Sequence, residues 1–252
     1  MVAGVAERIA AGVEEGSGDE LFITVEEEAA VVGVAMHTPP HALFLSRMPP
    51  AAADQLAHTL ARGGRQLPGA RGAMDATSAF ASTWLRLTGR RAELGKVLRL
   101  YRLHQLATPE GASGQPAHAG APQDIQLISR WMREFHDEAE PQAPGQDWDR
   151  AAARRIAGGE VQVWWDGGQP VAMACSSQTA AGVARVGPVY TPPQFRRHGY
   201  GTAVTAAVTK AVLLAGARDV VLYTDLANLT SNSIYLALGC RPDHDAQELR
   251  FV

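Results

Sequence analysis

Two stretches of the chain, about 140 residues apart, share one outline of apolar and polar positions. "LFITVEEEAAVVGVAM" (Leu21–Met36) predicts a strand, a turn at the glutamates and a second strand. "EVQVWWDGGQPVAMA" (Glu160–Ala174) repeats this outline without a gap, with Phe22 aligned to Val161. An imperfect repeat of this length predicts two related domains rather than a solenoid of short units.

The repeat continues into one further strand in each copy, "HALFLS" (His41–Ser46) and "GVARVGPVY" (Gly182–Tyr190). After the first copy, Asp124 is expected to cap a helix with one apolar face, and a second helix is expected from Asp147 to Gly158. The other predicted elements are strands near Val161–Trp165 and Val171–Ser177, a helix over Gly201–Ala215, a strand over Val220–Thr224, a helix over Thr230–Leu238 and a final strand at Leu249–Val252. This alternation predicts an α/β or α+β fold.

The boundary between the domains is expected in "ATPEGASGQPAHAGAPQ" (Ala107–Gln123), which is rich in Pro, Gly, Ala and Ser. Before it, "GKVLRLYRLHQL" (Gly95–Leu106) alternates apolar and polar residues, as a closing strand does. The sequence therefore predicts one domain over residues 1–115 and a second over residues 116–252.

Composition and charge limit the possible partners and location. The formal net charge of -3 provides no basic field that would recruit nucleic acid. No stretch approaches the ~20 apolar residues of a membrane span. The two cysteines, Cys175 and Cys240, fit a reducing cytosol, and the eight histidines show no metal-binding spacing. We expect a cytoplasmic monomer or homodimer without a metal, a membrane partner or a nucleic-acid partner.

The clearest chemical signal lies in "QFRRHGYGTAVTAAVTK" (Gln194–Lys210), where cations and glycines precede a nearly all-apolar helix. Such a helix is buried, so its first N–H groups and the positive end of its dipole have a fixed position. Glycines admit a ligand close to this backbone, and arginines donate to phosphate oxygens. The residues predicted to cradle a phosphate are Arg196, Arg197, His198, Gly199, Tyr200, Gly201 and Thr202. A solvated basic turn before a helix is the plainer interpretation.

Three phosphate ligands compete for this segment. A nucleoside-triphosphate P-loop needs a Gly-Lys-Ser/Thr core, which is absent here. A dinucleotide site needs a third glycine where Val204 stands, and its turn is tighter than the eight residues "TPPQFRRH" allow. Coenzyme A is the third candidate.

The residues "RRHGYG" (Arg196–Gly201) resemble the [Q/R]-x-x-G-x-[G/A] signature of the GNAT acetyltransferase superfamily. Downstream, "NLTSNSIYLALGC" (Asn228–Cys240) is similar to that family's second landmark, except that Cys240 replaces the usual aromatic residue. The resemblance covers about Asp124–Val252. It implies two tandem GNAT-like domains, each with a mixed, mostly antiparallel sheet flanked by helices, of which the first is a degenerate copy that does not bind cofactor.

The resemblance also implies acetyl-CoA as acyl donor and an amine as acceptor. Backbone N–H groups of Val189 and Tyr190 would face the oxyanion that develops on the thioester, in a gap between two strands. Tyr235 occupies the position of the family's general acid, although it can also be a core tyrosine. Asn228 and Ser231 would bind the pantetheine arm, and Asn228 can instead cap its helix.

The general base is left open by the sequence, because the strand "VARVGPVY" carries no carboxylate. Asp225 and Glu138 are the candidates, and either can also be a solvated acid or a cap. The acidic stretch "FHDEAEPQAPGQDWD" (Phe135–Asp149) favours a cationic acceptor. A domain pair that binds acyl-CoA as a sensor or scaffold, without catalysis, is the alternative function.

Overall fold

The computed structural model describes residues 2, 5–6, 18–109, 111–139 and 146–252. The described chain forms two compact units that are not simple halves of the sequence. The first contains the residues up to Leu100 together with Thr224–Asn228 and Asp243–Val252, and the second contains Tyr101–Tyr223 and Leu229–Pro242. The boundary predicted near residue 115 stays a prediction, since both units draw on segments from either side of it.

The first unit is a mixed sheet with two helices. Its elements are β1 (Leu21–Glu27), β2 (Ala30–His37), β3 (Leu43–Leu45), α1 (Pro50–Arg62), β4 (Gly69–Ala73), α2 (Met74–Thr88) and the part of β5 (Ala92–Leu103) that ends at Leu100. The β1–β2 and β2–β3 pairs are antiparallel and the β3–β4 pair is parallel. From the carboxyl end of the chain, Ala246–Arg250 pair antiparallel with β4.

The second unit has the same kinds of pairing with an additional edge strand and more helices. Its elements are β6 (Gln115–His118), α3 (Pro122–Ala139), α4 (Trp148–Ala157), β7 (Val161–Asp166), β8 (Gln169–Ser176), β9 (Val183–Tyr190), α5 (Tyr200–Leu214), the part of β10 (Asp219–Asp225) that ends at Tyr223, α6 (Leu229–Ala237) and the part of β11 (Cys240–Phe251) that ends at Pro242. Strands β6 to β9 pair antiparallel in sequence order, and β9 pairs parallel with β10. The predicted fold class, a mixed α/β arrangement, is therefore confirmed.

The internal repeat predicted from the sequence extends through seven elements. Three strands, a helix, a strand, a helix and a strand follow one another from β1 to β5 and again from β7 to β11. Even an irregularity is repeated: the hairpin register shifts between Val25 and Glu26 in the first copy, and between Trp164 and Trp165 in the second. These positions are equivalent when Phe22 is aligned with Val161.

Each unit has its own apolar core. In the first, Phe80 and Trp84 of α2 stack with ring centroids 5.7 Å apart, and Trp84 also stacks on Phe251. In the second, one buried cluster includes Tyr101, Val204 and Tyr235, and another includes Ile128, Trp131 and Met173. The apolar face predicted for the helix after Asp124 thus packs where amphipathicity places it.

The segment before β6 is fixed to the second unit, although its composition is that of a linker. The Ala107 N–H donates to the Leu238 carbonyl at 3.1 Å. Further along, Trp164 Nε1 donates to the Ser113 carbonyl at 2.7 Å, and the Ser113 hydroxyl donates to Asp166 Oδ2 at 2.7 Å. The Pro- and Gly-rich composition therefore marks a docked connection.

Candidate active site

Strands β9 and β10 pair over only part of their length. In the described residues their parallel pairing joins Asp219–Val221 to Val183–Arg185, yet β9 continues to Tyr190. On its other side, β9 stays paired as far as Tyr190, which lies opposite Met173. The two strands therefore leave a gap beside Val189 and Tyr190, where the sequence predicts the thioester to enter.

The start of α5 follows this strand after residues 191–199 and has the backbone of an anion site. Gly199 adopts a left-handed conformation with φ of 79° and precedes the first helical residue, Tyr200. The first hydrogen bond of the helix runs from the Ala203 N–H to the Gly199 carbonyl at 3.0 Å. The N–H groups of Tyr200, Gly201 and Thr202 come before that bond, so the helix itself does not use them. A left-handed residue followed by a helical one forms a concave nest of N–H groups that suits phosphate.

Gly201 leaves space at this helix start. A Cβ atom added there would lie 3.4 Å from Thr191 Oγ1 and 3.8 Å from Ile234 Cδ1. The backbone is therefore lined closely by neighbouring side chains on one side. A side chain larger than a methyl group at this position would press on Thr191 and Ile234.

The side chains before the helix are held in place by local contacts. His198 Nδ1 lies 2.8 Å from the Arg196 carbonyl oxygen, and its ring stacks on Tyr200 at 5.6 Å. Tyr200 is buried and donates its phenolic hydrogen to Asp166. Arg197 is exposed and has φ of 68°. The sequence gives no sign of the role of Asp166, because "DGG" in a hairpin predicts only a turn.

Tyr235 packs in the same buried cluster as the first residue of α5. Tyr200 and Tyr235 belong to one buried cluster, with Val189 and Ile234 packed at its margin. Burial raises the pKa of Tyr235 to about 12, and a hydrogen bond with Ser231 opposes part of that rise. The phenol is therefore protonated at neutral pH. The Tyr101 ring lies 6.1 Å from it.

Other predicted residues lie elsewhere. In the first unit, Asp225 Oδ1 accepts from the Ala227 N–H at 2.8 Å, and the Asn228 N–H donates to the Asp225 carbonyl at 3.0 Å. These bonds form an Asx-type turn just before α6. The structure therefore gives Asp225 a turn-forming contact, and its assignment as general base stays a prediction.

Glu138 forms a second group with Tyr190 and Arg196. Arg196 Nη2 donates to both Glu138 oxygens, at 2.8 Å and 2.7 Å, and the Tyr190 hydroxyl donates to Glu138 Oε1 at 3.3 Å. Burial and the carboxylates of Glu134 and Glu138 raise the pKa of Tyr190 to about 12. Glu138, which the sequence predicts as a base, and Arg196, which it predicts as a phosphate ligand, therefore bind each other.

No group of three or more His, Cys, Asp or Glu side chains is placed to hold a metal ion among the residues that the structure describes. Within the same residues, no helix combines the length and the apolar character that crossing a membrane requires.

Part of the second unit matches a known protein family. Residues 125–240 match the model of the family described as "Acetyltransferase (GNAT) family". A comparison with curated proteins found no match.

Solved structures have the same fold. A GCN5-related N-acetyltransferase from Kribbella flavida is 19% identical, with a TM-score of 0.60 over 99% of this chain and 95% of that one. One from Sphaerobacter thermophilus is 17% identical, with a TM-score of 0.64 over 98% and 85%. A tandem GNAT protein from the clavulanic acid biosynthesis pathway is 14% identical, with a TM-score of 0.53 over 100% and 94%. The tandem arrangement predicted from the repeat is confirmed.

Proposed function

We propose that this protein transfers the acetyl group of acetyl-CoA to a primary amine of a small molecule or peptide, since residues 125–240 match the model of the GNAT acetyltransferase family. The transfer occurs by direct attack of the amine in a ternary complex. A soluble, cytoplasmic enzyme of this kind needs no metal, since backbone N–H groups supply the electrostatic stabilisation.

The observation that carries this proposal is the gap between β9 and β10 beside the N–H nest of α5. Pairing between the strands stops at Arg185 and Val221, and the nest begins at Gly199. A cofactor with a pyrophosphate and a long thioester arm fits this combination, because the phosphates take the helix start and the arm extends toward the gap. A nicotinamide dinucleotide has no thioester to place there.

Residues of this chain then have distinct tasks. The N–H groups of Val189 and Tyr190 stabilise the oxyanion, and one such donor contributes about 3 kcal/mol. Tyr235 donates a hydrogen bond to the sulfur as the carbon–sulfur bond breaks. Since its pKa is raised to about 12 and a thiol has an ordinary value of about 8.5, full proton transfer to the thiolate is uphill. Hydrogen bonding is thus its main contribution.

The acceptor is a cationic amine in this proposal. Three acidic residues lie near the carboxyl end of α3 and the amino end of α4: Asp137, Glu138 and Asp149. Their negative charge favours the binding of ammonium groups. The amine must lose its proton before attack.

Two measurements test the function. Calorimetry should show micromolar binding of acetyl-CoA and none of NAD. Release of free thiol from acetyl-CoA, followed with a library of polyamines, aminoglycosides and peptide α-amines, should identify acceptors. Tight NAD binding would overturn the proposal. Acetyl-CoA binding without thiol release with any amine would instead favour an acyl-CoA sensor or scaffold.

A further inference from the structure

Arg196 is the first residue of the cofactor signature, yet its guanidinium points to α3. Nη2 donates to both oxygens of Glu138, and Nε donates to the Thr191 carbonyl at 2.9 Å. The guanidinium carbon also lies 5.9 Å from the centre of the Tyr190 ring, within cation–π range. Two of the three guanidinium nitrogens of Arg196 are therefore engaged within the protein.

Both carboxylate oxygens of Glu138 also accept hydrogen bonds within the protein. Its Oε1 accepts from Arg196 and from the Tyr190 hydroxyl, and its Oε2 accepts from Arg196. A general base needs an oxygen within hydrogen-bond reach of the substrate proton. The contacts of Glu138 suit a residue that orients a cation better than one that removes a proton.

The contacts continue from Arg196 into the cofactor loop, residues 191–199. Thr191 is the first residue of that loop, and its carbonyl is fixed by Arg196 Nε. The same residue places its Oγ1 3.4 Å from the position that a Cβ of Gly201 would occupy. Hydrogen bonds thus lead from Glu138 through Arg196 to Thr191, whose side chain lies beside the first turn of α5.

We infer that Glu138 and Arg196 form a clasp that fastens the cofactor loop to α3, so that both act as positioning residues for acetyl-CoA binding. This inference rests on the proposed function insofar as the cofactor binds at the start of α5. Arg196 then contributes to affinity by setting the position of the N–H nest. It does so without contacting phosphate.

Breaking the Glu138–Arg196 pair should lower the affinity for acetyl-CoA only modestly. The side chains of Arg196 and Glu138 are 43% and 48% exposed, so solvent screens their attraction. Loss of the clasp should weaken acetyl-CoA binding by about two- to fivefold, the range that exposed ion pairs contribute. Both single substitutions should have this effect, and the double substitution should be no worse than either one, because each breaks the same contact.

The test combines binding, kinetics and amide exchange. Calorimetry with acetyl-CoA is run on the parent protein, Glu138→Ala, Arg196→Ala and the double variant. The pH profile of kcat is compared between the parent and Glu138→Gln, and should keep its acidic limb. Hydrogen exchange in the cofactor loop, without any ligand, should be faster in Glu138→Ala. Arg133→Gln is the control, because this exposed residue of α3 lies ~140° around the helix from Glu138 and should change none of these quantities.

Other roles for Arg196 and Glu138 predict different results in these measurements. Additive losses of affinity would mean that Arg196 binds phosphate directly. An acidic limb that vanishes in Glu138→Gln while affinity is unchanged would make Glu138 the base. Either result overturns the clasp, as does unchanged exchange in the cofactor loop. If the parent protein fails to bind acetyl-CoA, the proposed function fails, whereas the exchange measurement still decides whether the clasp exists.

Discussion

The phenol of Tyr200 donates its hydrogen to the carboxylate of Asp166. This bond ties the first residue of α5 to the β7–β8 hairpin, and Ser113 donates to the same carboxylate oxygen at 2.7 Å. The helix start, the hairpin and the segment before β6 therefore meet at one acceptor. The position of the N–H nest depends on this junction as well as on its own backbone.

Replacing Asp166 by Asn should destabilise the protein in a pH-dependent way. The bonds from Tyr200 first, and then from Ser113, hold the pKa of Asp166 below its ordinary value. Stability from a lowered pKa is present above the unfolded value near 3.9 and is lost as pH falls through the folded one. Asp166→Asn should therefore lower Tm at pH 7, and the difference from the parent should shrink as pH falls below about 4.

Thermal unfolding followed by circular dichroism across a pH series measures this effect. Ser113→Ala should show a smaller shift of the same sign, and Asp137→Asn should show none. A Tm at pH 7 equal to that of the parent would contradict the structural importance of the junction.

Substitution of Tyr235 by Phe tests its contribution to transfer. The ring and its packing on Tyr101 are retained, so acetyl-CoA affinity should stay nearly unchanged. The rate of acetyl transfer should fall by about 10²-fold, the lower end of general-acid contributions, because a phenol with a pKa raised to about 12 is a weak proton donor. Pre-steady-state transfer separates this step from product release. Transfer at the parent rate would make Tyr235 a packing residue.

Side-chain size at residue 201 should control cofactor affinity. Gly201→Ala adds a Cβ that finds ordinary contact distances to Thr191 and Ile234, so this variant should fold and lose little affinity. Gly201→Val adds branches over the first turn, where a phosphate must approach the backbone. We expect the loss of acetyl-CoA binding in calorimetry to be at least tenfold greater for Val than for Ala. Equal affinities would place the phosphate elsewhere.

The two cysteines should be unreactive in the folded protein. Burial raises the pKa values of both Cys175 and Cys240 to about 11, so little thiolate exists at neutral pH. Alkylation by iodoacetamide at pH 7.5 should be slow, with both sites modified readily after unfolding. Mass spectrometry of the intact chain provides the measurement. Rapid modification of Cys240 in the native protein would show that its surroundings open.

Much of the fold follows from local patterns. The two hairpins, the helix capped by Asp147 and the helix after Gly199 all lie where the sequence predicts them, because alternation, caps and glycines act over a few residues. The cap is direct: Asp147 accepts from the Arg150 N–H at 3.0 Å.

Other elements depend on partners far along the chain. Strand β4 reads "GARGA", which carries no strand signal. A Cβ at Gly69 would lie 2.2 Å from the Leu249 carbonyl oxygen, so close packing selects small residues there. The final strand is predicted over four residues, yet β11 spans twelve, because its polar residues become a strand only through pairing. Strand β6 likewise carries no apolar pattern, because all four of its residues are exposed.

The candidate site also combines features that local sequence patterns predict with contacts that depend on distant parts of the chain. The glycine segment and the landmark around Tyr235 are recognisable as sequence patterns, whereas the pairing of Arg196 with Glu138 joins residues 58 positions apart. A pattern of residue types states which chemistry is available. Which charged groups neutralise each other depends on how the helices pack.

The placement of the last ten residues affects how the chain can fold during synthesis. Asp243–Val252 belong to the first unit, where Ala246–Arg250 pair with β4. Domains usually fold from the amino terminus while the ribosome is still extending the chain. Here the β4 edge stays without this partner until the ribosome has extended the chain from β4 through the second unit to Arg250. The first unit therefore completes its sheet only after the second unit has been synthesised, and until then its open edge requires protection from other nascent chains.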